Sequence, residues 1–244
     1  MALVSQSVSP ANERLPQVAA VVLAGGSGSR LGAARNKVYL PVAGRPVIAW
    51  SVDALRHTPG LARLVVVVRA GDEELLAAAE VGDVEVVLGG TTRTGSELAA
   101  LQHLAPAIED GCIGVVSIHD GARPLASAAL VTAVTDAAVR HRGAVPGLPL
   151  DKHLVEVDGQ GVVRRRLTGA HATMQTPQAF AAGPLLAAYR QAGADGYDAT
   201  DTAGCIERYS DIAVRLVPGE ETNIKVTVGA DLDRADALLR RLRH

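Results

Sequence analysis

Aromatic side chains are nearly missing from this chain: Phe, Tyr and Trp make up 2% of 244 residues, although 48% of the residues are hydrophobic. A core of ordinary size must then be built from Ala, Val and Leu, and a chain this apolar is not a disordered one. Cysteine is also scarce. Cys112 and Cys205 are the two present. They form no C-x-x-C pair and each lies in an apolar surrounding, so buried free thiols are expected rather than a disulfide. No apolar run reaches the roughly 18 residues of a membrane span. Residues 1–16 lack a basic stretch followed by an apolar one, so no signal peptide is read there. The expectation is a cytoplasmic protein with a disordered tail over 1–16 and one domain over 17–244. Neither sign of charge is in excess, with 24 Lys and Arg against 26 Asp and Glu. That balance speaks against a general nucleic-acid binder, so any anion site must arise from local clustering.

Two common phosphate loops are missing as well. A dinucleotide fingerprint needs a third glycine where this chain, after Gly26 and Gly28, has Leu31. A P-loop needs a Gly-Lys pair, and none occurs. What stands instead is VVLAGGSGSRLGAARNKVYLPVAGRPVI over residues 21–48. A strand-like run enters a glycine-rich loop carrying Arg30 and Lys37, and a helical pattern follows. Glycine lets main-chain N–H groups approach phosphate oxygens, and two cations can neutralise charge developing on a reacting phosphate. The stretch reads as a nucleoside triphosphate site of a nucleotidyltransferase.

Short β-branched runs alternate with helical patterns along the rest of the chain. Strands are expected at 18–23, 63–68, 84–88, 113–118, 212–217 and 224–228. Helices are expected at 46–57, 72–80, 94–106, 127–141, 183–192, 199–208 and 230–242. This is an α/β pattern with a doubly wound, mainly parallel sheet. Ligands in such folds bind beyond the carboxyl ends of strands. The glycine loop, GGTTR at 89–93 and HDGARP at 119–124 each follow an expected strand. Residues 147–170 alternate apolar and polar positions around DGQG, which predicts a projecting β-hairpin arm. The arm can be a dimerisation element or an ordinary surface hairpin.

AGGSGSRLG with Lys37, GGTTRTGS, HDGARP, QTPQAF, TDTA and NIKVT occur in that order from about residue 18 to the C-terminus. On these motifs the chain resembles the 2-C-methyl-D-erythritol 4-phosphate cytidylyltransferase family, and the related ribitol 5-phosphate cytidylyltransferases. The resemblance implies a nucleotidyltransferase-like Rossmann variant that transfers CMP from CTP to a polyol phosphate, with release of pyrophosphate and with Mg²⁺ as cofactor. It implies that Arg30, Lys37 and Lys225 stabilise the transition state, and that Ala24, Gly25, Gly26, Ser27 and Gly28 wrap the triphosphate. Gly90 and Ser96 would meet the cytosine, while Arg93 would either assist or hold the loop. Asp120 would meet the metal, the ribose or the acceptor. Arg123 would contact the acceptor or hold its own loop. Thr200 would cap a helix and reach the acceptor phosphate. A homodimer joined through the arm is implied, with no nucleic acid or membrane partner.

The departures from the family pattern gather in the arm. An Asp-Thr-x-Lys sequence usual there is replaced by Lys152, His153, Leu154 and Val155. An arginine usual seven residues before Gln-Thr-Pro-Gln is replaced by Thr168, which cannot form a guanidinium clamp. Arg164, Arg165 and Arg166 lie just upstream, either as a replacement or as a solvated face. The acceptor-binding positions on the arm are therefore assigned to His153, Arg166 and Thr168. TDTA places Thr202 where the family usually has an acid. The pattern predicts an intact CTP half and an altered acceptor half. Ribitol 5-phosphate or another polyol phosphate is the alternative acceptor. A CTP-binding protein without catalysis and a nucleotide-sugar glycosyltransferase are the readings from other classes.

Overall fold

Six consecutive apolar residues, Val18–Leu23, form the central strand β1, and both of its faces are buried. Ala19 and Val21 point into one hydrophobic layer, Ala20 and Val22 into the other. That is the period-two alternation of a strand covered on both sides. The computed structural model describes residues 16–26, 36–151 and 153–242. After β1 the chain forms a short hairpin, β2 (Pro41–Val42) and β3 (Arg45–Pro46), then α1 (Val47–Arg56), β4 (Leu61–Val68), α2 (Glu73–Ala78), β5 (Glu85–Leu88), α3 (Arg93–Glu109), β6 (Val115–Asp120) and α4 (Ala128–His141). There follow β7 (Gly143–Pro149), β8 (Val155–Val157), β9 (Val163–Arg166), β10 (Ala172–Met174), β11 (Gln178–Ala181), α5 (Ala182–Asp195), α6 (Thr202–Tyr209), β12 (Arg215–Pro218) and α7 (Gly229–Leu242).

The main sheet runs β10-β7-β11-β6-β1-β4-β5, and β12 pairs with β7. β1 is parallel to both β4 and β6, and β4 is parallel to β5. β11 enters antiparallel between β6 and β7. Helices α3, α5 and α6 cover one face, around Leu101, Leu104, Leu185 and Ile206. Helices α1 and α2 cover the other, joined by Val131 of α4. Phe180 and Tyr189 are the largest fully buried side chains, so the scarce aromatics sit where volume is most needed.

The path leaves β1 outward through β4 and β5 and then returns to β6 on β1's other side. This reversal opens a crevice at the carboxyl ends of β1 and β6. Gly121, just past β6, donates its N–H to the Leu23 carbonyl at 2.9 Å. A Cβ on Gly121 would lie 2.8 Å from that carbonyl oxygen, so a side chain there would push the two strand ends apart.

Several expected elements differ from the structure. No strand forms over 224–228. That segment crosses the strand ends instead of extending the sheet, and Val226 makes one bridge to the Ala122 carbonyl at 2.8 Å. Helix α6 starts at Thr202, and its N-cap is Asp201, not Thr200. The Asp201 carboxylate accepts from Gly204 N at 2.9 Å, because a carboxylate one residue closer to the helix reaches the open N–H groups. Helix α3 continues past Pro106 to Glu109. Cys205 is a buried free thiol as expected, but Cys112 is exposed beyond the end of α3. The hairpin forms from β8 and β9 around Asp158, separate from the main sheet. The N-terminal residues 1–15 lie outside the described residues.

Candidate functional site

Asp120 ends β6 and is 6% exposed. Its carboxylate meets three cations from three different segments. Arg93 Nη1, on the first turn of α3, is 2.6 Å from Oδ1. Lys225 Nζ is 2.7 Å from Oδ2, and Arg123 Nε is 3.7 Å from the same oxygen. Burial alone would raise the carboxyl's pKa, but Arg93, Lys225 and Arg123 outweigh it and hold Asp120 well below the usual carboxylate range. Arg123 feels the same burial, which lowers its pKa against the pull of Asp120.

The loops carrying these cations are fixed by hydrogen bonds from the QTPQ segment. Asn223 Nδ2 donates to the Thr176 carbonyl at 2.9 Å, and Arg123 Nη1 donates to the Asn223 carbonyl at 2.7 Å. Gln175 Nε2 donates to the Glu220 carbonyl at 2.8 Å. The Thr176 hydroxyl accepts from Asp120 N at 3.0 Å. Its own hydrogen can then go to His119 Nδ1, also 3.0 Å away. That assigns the His119 proton to Nε2, which faces the Arg123 carbonyl at 3.0 Å. His119 is fully buried, and burial pushes its pKa down to about 4, so the ring is neutral.

The other side of the crevice is built from close backbone approaches. A Cβ on Gly90 would lie 2.8 Å from the Gly95 carbonyl carbon, and one on Gly89 would lie 2.8 Å from Ser96 Oγ. Gly25, at the exit of β1, sits against the same Ser96 hydroxyl. Ser96 donates to the Thr92 carbonyl at 2.9 Å and faces the Gly90 carbonyl at 3.3 Å, so its hydrogen holds the loop and its lone pairs remain for a ligand. Asn36 Nδ2 donates to the Ala24 carbonyl at 2.6 Å. This bond ties Asn36, the cap of the 3-10 turn that begins at Lys37, to the exit of β1. Arg30, Ser27 and Gly28 lie outside the described residues, as does Lys152.

The structure thus joins Asp120, Arg123 and Lys225 directly, with Gly25, Gly90 and Ser96 along the neighbouring strand ends. It gives Arg93 and Arg123 definite places: Arg93 bridges Asp120 and Glu97, and Arg123 holds the Asn223 loop. It does not bring the arm residues to this cluster. His153, Arg166 and Thr168 are exposed, and none of them contacts Asp120, Arg93 or Lys225 among the described residues. Arg164 pairs with Asp158 and Arg165 with Glu156, whereas Arg166 makes no ion pair among the described residues. Thr200 is exposed just before α6.

Sequence reading missed Glu97, Asn36, Thr176 and Asn223. Glu97 carried a signal, since it shares a helical face with Arg93, Leu101, Leu104 and Ile108, a stripe that reads as buried. Arg93 Nε and Nη2 and Arg123 Nε are buried without a hydrogen-bond partner among the described residues. Unmatched donors beside surplus positive charge suit an anionic ligand. Among the described residues no group of three or more His, Cys, Asp or Glu side chains could hold a metal ion. Both Asp120 oxygens meet cations, Oδ1 Arg93 and Oδ2 Lys225, so an ion that takes its other ligands from phosphate and water would reach Oδ2 only where Lys225 turns away.

A family model described as IspD, 2-C-methyl-D-erythritol 4-phosphate cytidylyltransferase, matches residues 18–241. A protein of that name from Prochlorococcus marinus (strain MIT 9313) is 38% identical over 228 residues, spanning 90% of this chain and 96% of its own length. One from Thermobifida fusca (strain YX) is 39% identical over 244 residues, spanning 95% of this chain and 96% of its own. The crystal structure of 4-diphosphocytidyl-2C-methyl-D-erythritol synthase from Anaerococcus prevotii DSM 20548 superposes with a TM-score of 0.78 at 26% identity, covering 92% of this chain and 96% of that one.

Proposed function

The chain belongs to the 2-C-methyl-D-erythritol 4-phosphate cytidylyltransferase family, and on that premise we infer that it transfers CMP from CTP to 2-C-methyl-D-erythritol 4-phosphate. It is a CTP-dependent nucleotidyltransferase of isoprenoid precursor synthesis. A phosphate oxygen of the acceptor attacks the α-phosphorus of CTP in line. The bond to the β-phosphate oxygen breaks, and CDP-methylerythritol and pyrophosphate result.

The observation that carries this reading is the cation cluster gathered on one buried carboxylate at the crevice. Phosphoryl transfer asks mainly for positioning and for fixed charge where charge develops. Asp120 supplies the fixing: it holds Arg93 at 2.6 Å and Lys225 at 2.7 Å before any ligand arrives. Lys225 then faces the α-phosphate, and Arg30 and Lys37 stabilise the pentavalent transition state from the glycine loop. Ala24, Gly25, Gly26, Ser27 and Gly28 wrap the triphosphate. Gly90 and Ser96 border the cytosine. Mg²⁺, held by Asp120, would supply charge neutralisation across the phosphates.

The acceptor is read as bound between this cluster and the arm of a second copy. His153, Arg166 and Thr168 are exposed on the arm, where a partner's crevice could meet them. The arm also exposes Val155, Val157, Val162 and Val163, at 39%, 54%, 47% and 55%, which favours burial against another chain. A homodimer in the cytoplasm completes the reading. No helix among the described residues is long and apolar enough to cross a membrane.

The test is pyrophosphate release with CTP, Mg²⁺ and a panel of polyol phosphates, with Lys225→Ala as the control. Release with methylerythritol phosphate that vanishes in the variant supports the reading. Release confined to ribitol 5-phosphate or another acceptor reassigns the substrate. Absence of release with any acceptor, despite CTP binding, overturns the enzymatic reading.

A further inference from the structure

Glu97 lies on α3, one turn beyond Arg93, with 1% of its surface exposed. No part of the reaction as described uses it. Its carboxylate is met from three helices. Arg93 Nε lies 2.8 Å from Oε1 within α3. The Thr202 hydroxyl of α6 is 3.3 Å from each oxygen, and the Tyr189 hydroxyl of α5 donates to Oε2. Around it the layer is Leu101, Leu104, Leu185 and Ile206.

Filling that space needs no charge. An apolar side chain of similar size would pack there without the cost of taking a carboxylate out of water. Burial does oppose ionisation, pushing the Glu97 carboxyl up to about 7 against the pull of Arg93. What the carboxylate can do, and an apolar group cannot, is hold the guanidinium by its Nε side. Arg93 then sits with Nε 2.8 Å from Glu97 Oε1, an ion-pair contact without hydrogen-bond alignment, Nη1 on Asp120 Oδ1, and Nη2 as a buried donor without a partner among the described residues. A guanidinium anchored at one end only could swing about its long stem, and Asp120 would lose a fixed neighbour.

We propose that Glu97 is the positioning residue for Arg93, held by Tyr189 and Thr202 so that Arg93 presents Nη1 to Asp120 and Nη2 to the anionic ligand. The proposal rests on the cytidylyl-transfer reading for its kinetic consequence, but not for its geometry. Thr202 lies close enough that a carboxylate could be delivered to Arg93 from α6 instead of α3.

Three variants test this, each followed by melting temperature, steady-state kinetics and crystal structure. Glu97→Gln keeps the shape but removes the charge and turns one acceptor oxygen into a donor. It should melt near wild type, lose about tenfold in kcat and leave KM for CTP within about threefold, the split expected when a fixed transition-state contact is loosened. Glu97→Ala should lose at least as much. Adding Thr202→Glu to Glu97→Ala refills the space and returns the carboxylate, and should recover most of the lost kcat. Wild-type turnover in Glu97→Gln, or no recovery in Glu97→Ala/Thr202→Glu, overturns the proposal. If Glu97→Ala does not fold, Glu97→Gln decides alone. If the wild-type protein releases no pyrophosphate, the transfer reading fails and the crystal structure of Glu97→Gln decides the positioning. Arg93 displaced from Asp120 supports it, and Arg93 retained in place overturns it.

Discussion

Asp120→Asn tests the electrostatic core of the site, since it removes one charge and almost no volume. In the native arrangement the carboxylate balances Arg93 at 2.6 Å, Lys225 at 2.7 Å and Arg123 at 3.7 Å. The Arg93 and Arg123 side chains are 24% and 12% exposed, so neither can recover full hydration after the charge is lost. Lys225, at 37%, can turn toward water. Breaking a buried pair by removing one partner costs about 3–5 kcal/mol, and the escape of Lys225 puts this case near about 3. For a chain of this length each kcal/mol moves the melting temperature by about 2–4 °C, so a fall of roughly 6–12 °C is expected at pH 7. The measurement is a circular dichroism melt of wild type and variant, with and without CTP. Bound triphosphate supplies the missing negative charge, so it should raise the variant's melting temperature more than the wild type's. The sign with pH is also fixed. Asp120 has a depressed folded pKa, so its stabilisation is present above the unfolded value of about 3.9 and is lost as pH falls toward the folded value. The variant should therefore lose less stability than wild type on acidification below about pH 4. A variant that melts within about 2 °C of wild type at pH 7 would refute the charge-balance argument.

Other expectations follow from single residues. Lys225→Ala should lose pyrophosphate release by about a hundredfold or more while still folding, because its side chain is partly solvated and its role is charge stabilisation; turnover within a few fold of wild type would remove it from the site. Gly90→Ala brings a Cβ 2.8 Å from the Gly95 backbone, so KM for CTP should rise with the fold kept; an unchanged KM would mean that this loop does not border the nucleotide. His119 has its folded pKa lowered to about 4, so the stability it confers is complete above about 6.5 and is lost on descent toward 4, about 2 kcal/mol by pH 5. A urea series at pH 7 and 5 measures this, and an NMR titration of the ring near 6.5 would refute it. Phe180→Ala should cost about 3–5 kcal/mol, since the ring is fully buried and few other large side chains can close the gap; a loss below about 1 kcal/mol by urea unfolding would contradict that.

The strands and helices of the sheet were legible because their pattern is local. Val18–Leu23 is an unbroken apolar run with three valines and it forms β1 at those bounds. The glycine loop, the GGTTR loop and HDGARP were readable as strand-end segments for the same reason. Where neighbouring residues do not decide the outcome, the sequence alone was insufficient. The 224–228 run has the composition of a strand, yet it crosses the strand ends, with Val226 bonded to Ala122 and the preceding Asn223 bonded to Gln175 and Thr176 from remote segments. Asp201 displaced Thr200 as the cap of α6 because helix phase, set by packing, determined which side chain met the open N–H groups. Glu97 was not singled out, although its spacing from Leu101 and Leu104 placed it on the buried stripe. Residue types and spacings determined by themselves that this chain makes an α/β sheet with glycine-rich and cation-bearing segments following its strands. Which cation meets which carboxylate was decided only by tertiary structure. Arg93, Asp120 and Lys225 are more than a hundred residues apart end to end along the chain, and only the return of the path to β6 and the docking of the Asn223 loop bring their charges within 3 Å.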